Sequence, residues 1–241
     1  MTRLLAAELL KLRTTRTALG LLIALLGLVA LIVIGSLATA DRLELDLEQW
    51  QDDLFSVASL ASLFALLFGI LAITGEFRHR TATPTFLVTP ERERVLVAKT
   101  LASVLTGVAL GVVALALTAV VALVWLSSRG ASLHLGGDFF ADALWLLLGC
   151  ALYAALGVAV GAIVQSQVGA IVGTLVWLLV VESLVAALSE RVGRYLPGQA
   201  IDALTFQGGD VSRTRGLVVG LVYVALLGAA GIVLTRRRDV A

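Results

Sequence analysis

The chain has 241 residues, 59% of them hydrophobic and 15% charged, with a formal net charge of +1. Soluble domains carry roughly 25% charged residues, so a water-soluble fold of this length could not hide so much apolar surface. The charges cluster between apolar runs and make no basic stripe for nucleic acid, and the single cysteine, Cys150, excludes an intramolecular disulfide and reads as a small packed residue.

Residues 1–16 set Leu5, Leu9 and Leu12 at helical spacing, with Glu8 and Lys11 on another face. This reads as an amphipathic helix in the membrane interface or as an ordinary lead-in to the first span. That span runs from about Ala18 to Ala38. Ala38-Thr39-Ala40 resembles a signal cleavage site, but the apolar run exceeds the roughly 7–15 residues of a signal peptide and matches the ~20 that cross a bilayer. An acidic connection, Asp41 to Asp53, leads to the second span, about Leu54 to Thr74.

The stretch from Thr74 to Lys99 comes next and organises the rest. It holds Arg78, Arg80, Arg92, Arg94 and Lys99, two of the three prolines (Pro84 and Pro90), and between them Phe86, Leu87 and Val88. Phe86, Leu87 and Val88 cannot all face a membrane on one short turn. Exposed apolar residues ringed by charge mark interaction sites, so this stretch reads as a docking surface. Thr89 as N-cap, Pro90 at the first helical position and Glu91 and Glu93 at the positive helix end start the third helix. Its membrane part covers about residues 95–126, and at 1.5 Å per residue the whole helix is roughly 55 Å long, more than the ~30 Å hydrocarbon core.

Ser127 to Asp142 is a polar connection. The fourth span, about Ala143 to Val164, and the fifth, about Val168 to Leu188, are joined by Gln165-Ser166-Gln167, which allows only an antiparallel hairpin. Ser189 to Arg215 reads as the longest loop, with an apolar patch from Ile201 to Phe206, and the sixth span covers about Gly216 to Leu234. The expected fold is therefore one all-α transmembrane domain over residues 1–241, with six spans and both termini on one side. Twelve of the 18 basic residues then fall on the side of the termini and six on the other, which makes the termini and the organising stretch cytoplasmic. Gly-x-x-x-Gly recurs at Gly107/Gly111, Gly157/Gly161, Gly169/Gly173 and Gly216/Gly220, read first as close packing within the chain and second as dimer contacts.

A self-contained enzyme is not expected. A P-loop needs a lysine after glycine, and the only two lysines, Lys11 and Lys99, follow Leu10 and Ala98. The two histidines, His79 and His134, fall on opposite sides of the membrane, and no Cys–His metal set exists. Glu182 is the one ionisable residue clearly inside a span. A charge at mid-bilayer costs about 2.5–3.5 kcal/mol on insertion scales, so it either lines a translocation path or pairs with a loop arginine such as Arg191 or Arg194. Trp125, Trp145 and Trp177 read as interfacial or packing residues or as contacts for a substrate.

Several of these segments resemble one family. Glu8 to Arg13 as a basic lead-in, Gly75 to Pro90, Val180 to Leu184 around Glu182, and Arg194 to Pro197 are together similar to the membrane permeases of type-two ABC exporters, actinobacterial members above all. Arg80 stands where such segments commonly carry glycine. The resemblance implies a coupling helix between the second and third spans and a large outer loop before the sixth. Contact with a separate ATPase would run through Glu76, Arg78, Arg80, Thr83, Pro84, Phe86, Leu87, Val88, Arg92 and Arg94. It also implies two permease chains, identical or paired, in a bacterial plasma membrane. ATP and magnesium would sit on the partner ATPase, leaving no cofactor or metal in this chain. Two other readings stand beside it. One is a secondary transporter or channel working alone, disfavoured because ion-coupled carriers need several intramembrane polar groups. The other is a membrane scaffold that transports nothing.

Overall fold

A computed structural model describes residues 2–40, 47–78, 92–133, 135–205 and 211–237. Among the described residues the regular elements are all helical. Helix α1 (Thr2–Thr14) leads into α2 (Arg16–Thr39). Helix α3 (Glu48–Ser56) runs through a 3-10 turn into α4 (Leu60–Arg78). Helix α5 (Arg92–Arg129) and α6 (Phe139–Val164) follow. A hairpin then gives α7 (Gln167–Val176), a π-turn (Trp177–Val181) and α8 (Glu182–Leu188). Two short helices, α9 (Glu190–Gly193) and α10 (Pro197–Asp202), precede α11 (Arg213–Arg237). Six of the resulting helical runs are long and apolar enough to cross a membrane: α2, α3–α4, α5, α6, α7–α8 and α11.

Alternate runs point in opposite directions. One end of the bundle, here the basal end, carries α1, the end of α4, the start of α5 and the α6–α7 turn. The distal end carries α9, α10 and the connection from α5 to α6.

Burial separates a centre from a rim. In the second and fourth spans 67% of the apolar window is buried, against 17% in the first and 11% in the fifth and sixth. On α2 the buried residues Leu25, Val29, Val33 and Leu37 recur every four positions, one stripe against the bundle, while Ile23, Leu31 and Ile34 face outward. Such outward apolar side chains suit a hydrocarbon surround.

Glycine sets how closely the central helices approach. A Cβ on Gly69 would lie 2.1 Å from the Ala154 carbonyl oxygen, and one on Gly157 would lie 2.2 Å from that of Leu66, so α4 and α6 touch backbone to backbone. Gly107 and Gly111 seat the α5 backbone against Cys150, which is buried and free. Gly216 meets the Ala200 carbonyl oxygen of α10 at 2.3 Å by the same measure. Three of the four Gly-x-x-x-Gly pairs thus serve packing inside the chain. Gly169/Gly173 differs, since a Cβ on Gly173 would meet nothing within 4 Å.

The α6–α7 hairpin closes as the short turn demands. Gln165 takes the left-handed conformation (φ 58°), and the Ser166 side chain accepts from the Gly169 N–H to cap α7. Two expectations change. The acidic connection is partly helical, because α3 begins at Glu48 and continues almost without break into the second span. The stretch read as a long loop before the sixth span folds back as α9 and α10. Within it Pro197, Gly198, Ala200, Ile201 and Leu204 are buried, and Ile201 and Leu204 pack against Leu152 and Tyr153 of α6. Taking each of those side chains out of water contributes about 1.5–3 kcal/mol, enough to hold an apolar segment down where a polar loop would drift away.

Candidate functional site

The basal end holds a knot of four charges. Lys99 lies two turns into α5, after Val95-Leu96-Val97-Ala98, and is 2% exposed. Its Nζ donates to Glu8 Oε2 at 2.6 Å and to Glu76 Oε1 at 3.0 Å. Lys11 Nζ donates to the other oxygen of Glu8 at 2.8 Å and to Glu76 Oε1 at 3.1 Å. Among the described residues two cations and two carboxylates meet here, and such pairing is the condition for keeping the buried Lys99 and Glu8 charges away from water. Burial pushes the Glu8 carboxyl up, but Lys99 and Lys11 outweigh it and hold the group below its ordinary value of 4.5. Burial likewise pushes Lys11 down, and Glu8 and Glu76 outweigh it, raising the amine above 10.5.

The same geometry places the polar residues of the first helix. Glu8 and Lys11 do lie off the leucine stripe, but they differ: Glu8 turns inward and Lys11 stays exposed. Glu8 is 2% exposed and Leu10 is 63% exposed, so the Glu8 side of the helix packs inward on the roots of α4 and α5.

The residues expected to contact an ATPase are divided by the same geometry. Glu76 turns into the knot. Arg78, exposed at the end of α4, donates from Nη1 to Gln167 Oε1 at 3.2 Å and so touches the start of α7. Arg94 is exposed in the first turn of α5. Arg80, Thr83, Pro84, Phe86, Leu87 and Val88, the Thr89–Pro90 helix start and the Arg92 side chain lie outside the described residues. What is described is the frame that holds this segment: both helices flanking it are tied to one another and to α1 through Lys99.

At the distal end Glu182 is 1% exposed, and its partners are not Arg191 or Arg194. Oε1 accepts from the Trp177 indole N–H at 2.8 Å and the Gly198 N–H at 3.1 Å, and Oε2 accepts from the Gln199 N–H at 3.1 Å. Arg194 pairs instead with Glu190. Glu182 therefore caps the start of α10, where first-turn amides have no helical partner and the dipole favours an anion. The π-turn makes this possible. Its i→i+5 bond, from the Glu182 N–H to the Trp177 carbonyl, brings residues five apart toward one side, whereas α geometry would splay them. The other end of α10 is held by Tyr153, whose hydroxyl donates to Asp202 Oδ1 at 2.8 Å. Close by, Arg213 of α11 pairs with Asp142 of α6. Of the other tryptophans, Trp125 lies under the Arg129 guanidinium at 5.7 Å, and Trp145 packs beside Leu152 and Ile201.

Sequence reasoning missed Glu8, Lys11 and Lys99 as site residues. The signal was present: the only two lysines, one of them deep in an apolar helical run, and two glutamates at basal helix positions. Among the described residues no group of three His, Cys, Asp or Glu side chains could hold a metal ion. The chain matches no protein-family model and no curated protein.

Proposed function

We propose that this chain is the membrane-spanning permease subunit of an ATP-driven ABC exporter, with cytoplasmic termini, working as a pair of permease chains on separate ATPase subunits. The observation that carries this reading is the position of the charge knot. It binds α1, the end of α4 and the start of α5 together, and the last two are the helices that flank residues 79–91 in the sequence. A push on that segment would then reach α1, α4 and α5 as one body. Arg78 would pass it on to α7 through Gln167. Phe86, Leu87 and Val88 would supply the apolar anchor in an ATPase groove, as short amphipathic helices do, with Arg80, Arg92 and Arg94 on the charged rim. The chain itself would bind no nucleotide.

Glu182 supports this reading over an ion-coupled carrier. Its oxygens are engaged by the indole and the α10 amides, which makes it a structural cap rather than a binding group on an ion path. The resemblance to type-two ABC exporters implies substrates of an apolar or amphipathic kind. The test is reconstitution of the full chain with its P-loop ATPase in proteoliposomes, followed by flux of a panel of drugs, lipids and peptide antibiotics. ATP-dependent export is expected. Flux that runs without ATP would favour a carrier or channel, and no flux for any compound a scaffold.

A further inference from the structure

A slot of about 310 Å³ lies between α6, α7 and α11. It exists because Gly169, Ala170 and Gly173 give α7 a flat face, and Gly173 has open space where its side chain would be. The slot runs along α7 and into the π-turn, from Gly169 to Leu178, roughly 13 Å at the helical rise, so its volume spread over that length leaves room for a single hydrocarbon chain. Apart from Thr174, the Trp177 indole and the Tyr223 ring, its wall is aliphatic or glycine, alanine and proline. The Thr174 residue is 8% exposed, and its hydroxyl has no hydrogen-bond partner.

The basal mouth has a different character. Gly169 is two residues from Gln167, whose amide oxygen accepts from the exposed Arg78 guanidinium, and Gln165 and Ser166 form the adjoining turn. A cation thus stands beside the mouth of an apolar slot, at the end of a membrane-spanning helix where lipid headgroups lie. Basic sites at such positions between transmembrane helices suit anionic lipid headgroups.

We infer that this slot binds one acyl chain of an anionic phospholipid, with the phosphate held at Arg78 and the chain lying along Gly169 and Gly173 toward Trp177. Below a phosphate come the ester oxygens, and Thr174, roughly 8 Å along the helix from Gly169, meets an acceptor there after a step of χ1 between staggered positions. The binding holds in either orientation of the chain and requires no ATPase, so its failure would leave the export reading untouched.

Trp177 is a built-in reporter. In full-length protein with Trp50, Trp125 and Trp145 replaced by Phe, purified in detergent, its fluorescence is titrated with phosphatidylglycerol or phosphatidylcholine brominated on the acyl chain. Brominated phosphatidylglycerol should quench at a several-fold lower concentration and saturate. Gly173→Leu, which fills the slot without a clash at Cβ, and Arg78→Gln, which removes the cation, should each abolish that preference. Native mass spectrometry of the chain with all four tryptophans provides a second measurement, with one phosphatidylglycerol retained and lost on Gly173→Leu. Equal quenching by the two lipids, or a preference that survives Gly173→Leu, would overturn the assignment.

Discussion

Lys99 shows how much one side chain holds. Among the described residues Lys99→Met leaves the Glu8 and Glu76 carboxylates with Lys11 as their shared cation. Removing one member of a buried pair costs about 3–5 kcal/mol, whereas replacing both with apolar groups is often near neutral. Lys99→Met should therefore melt well below the parent in detergent, and Glu8→Met/Lys99→Met, which leaves Lys11 with Glu76, should recover most of the loss. A double mutant less stable than either single would count against the knot. Its pH dependence follows from the two shifts. Glu8 is lowered, so its contribution is present above 4.5 and is lost only as pH falls through a still lower value. Lys11 is raised, so its contribution is complete below 10.5 and is lost as pH rises beyond that. Docking of α1, followed by limited proteolysis near Thr15, should stay constant from about pH 5 to 9, where neither group titrates. At this scale the sequence showed the residue types but not their meeting. Glu8 and Lys99 stand 91 positions apart, and helical spacing fixes which face a residue is on without saying what that face meets.

Two elements turn on glycine and one on Glu182. Gly157→Ala places a methyl 2.2 Å from the Leu66 carbonyl oxygen, which should force α4 and α6 apart at a cost of about 1–3 kcal/mol. Gly173→Ala meets open space and should gain about 0.5–1 kcal/mol from helix propensity alone. Thermal melts of the two variants should move in opposite directions. Glu182→Gln gives the α10 amides one oxygen in place of two and turns an N–H toward them. Because the cap holds the whole folded-back segment, the yield of monodisperse protein on size-exclusion should fall, and Trp177 emission should shift as its indole loses a charged acceptor. Unchanged yield and emission would deny the cap. The six spans were legible because each is a long apolar run bounded by charged or polar residues. The distal clamp was not. Ser189 to Arg215 carries the glycine, proline and charge of a loop, and only the Ile201–Phe206 patch hinted that it folds back. The π-turn that aims Glu182 at α10 has no residue signature of its own.

For the molecule as a whole, the basic-residue bias predicts cytoplasmic termini. Cysteines placed at Asp46, Ser132 and Gly209 on a Cys150→Ala background should react with an impermeant maleimide in intact cells, and those at Thr83 and Arg237 only after permeabilisation. Labelling of Thr83 from outside would invert the arrangement. The segment between α4 and α5 reads as a docking surface from its prolines, arginines and bare apolar residues. The frame that gives it leverage had to be seen in three dimensions. The most direct test is Phe86→Asp in the full chain, coexpressed with the ATPase and measured for copurification and ATP-dependent flux. One large apolar side chain buried in a groove contributes about 1.5–3 kcal/mol, while single rim charges contribute less. Phe86→Asp should insert normally, lose most of the bound ATPase and stop transport, and reversing Arg92 should do less. Wild-type ATPase yield and undiminished transport by Phe86→Asp would contradict coupling through this segment.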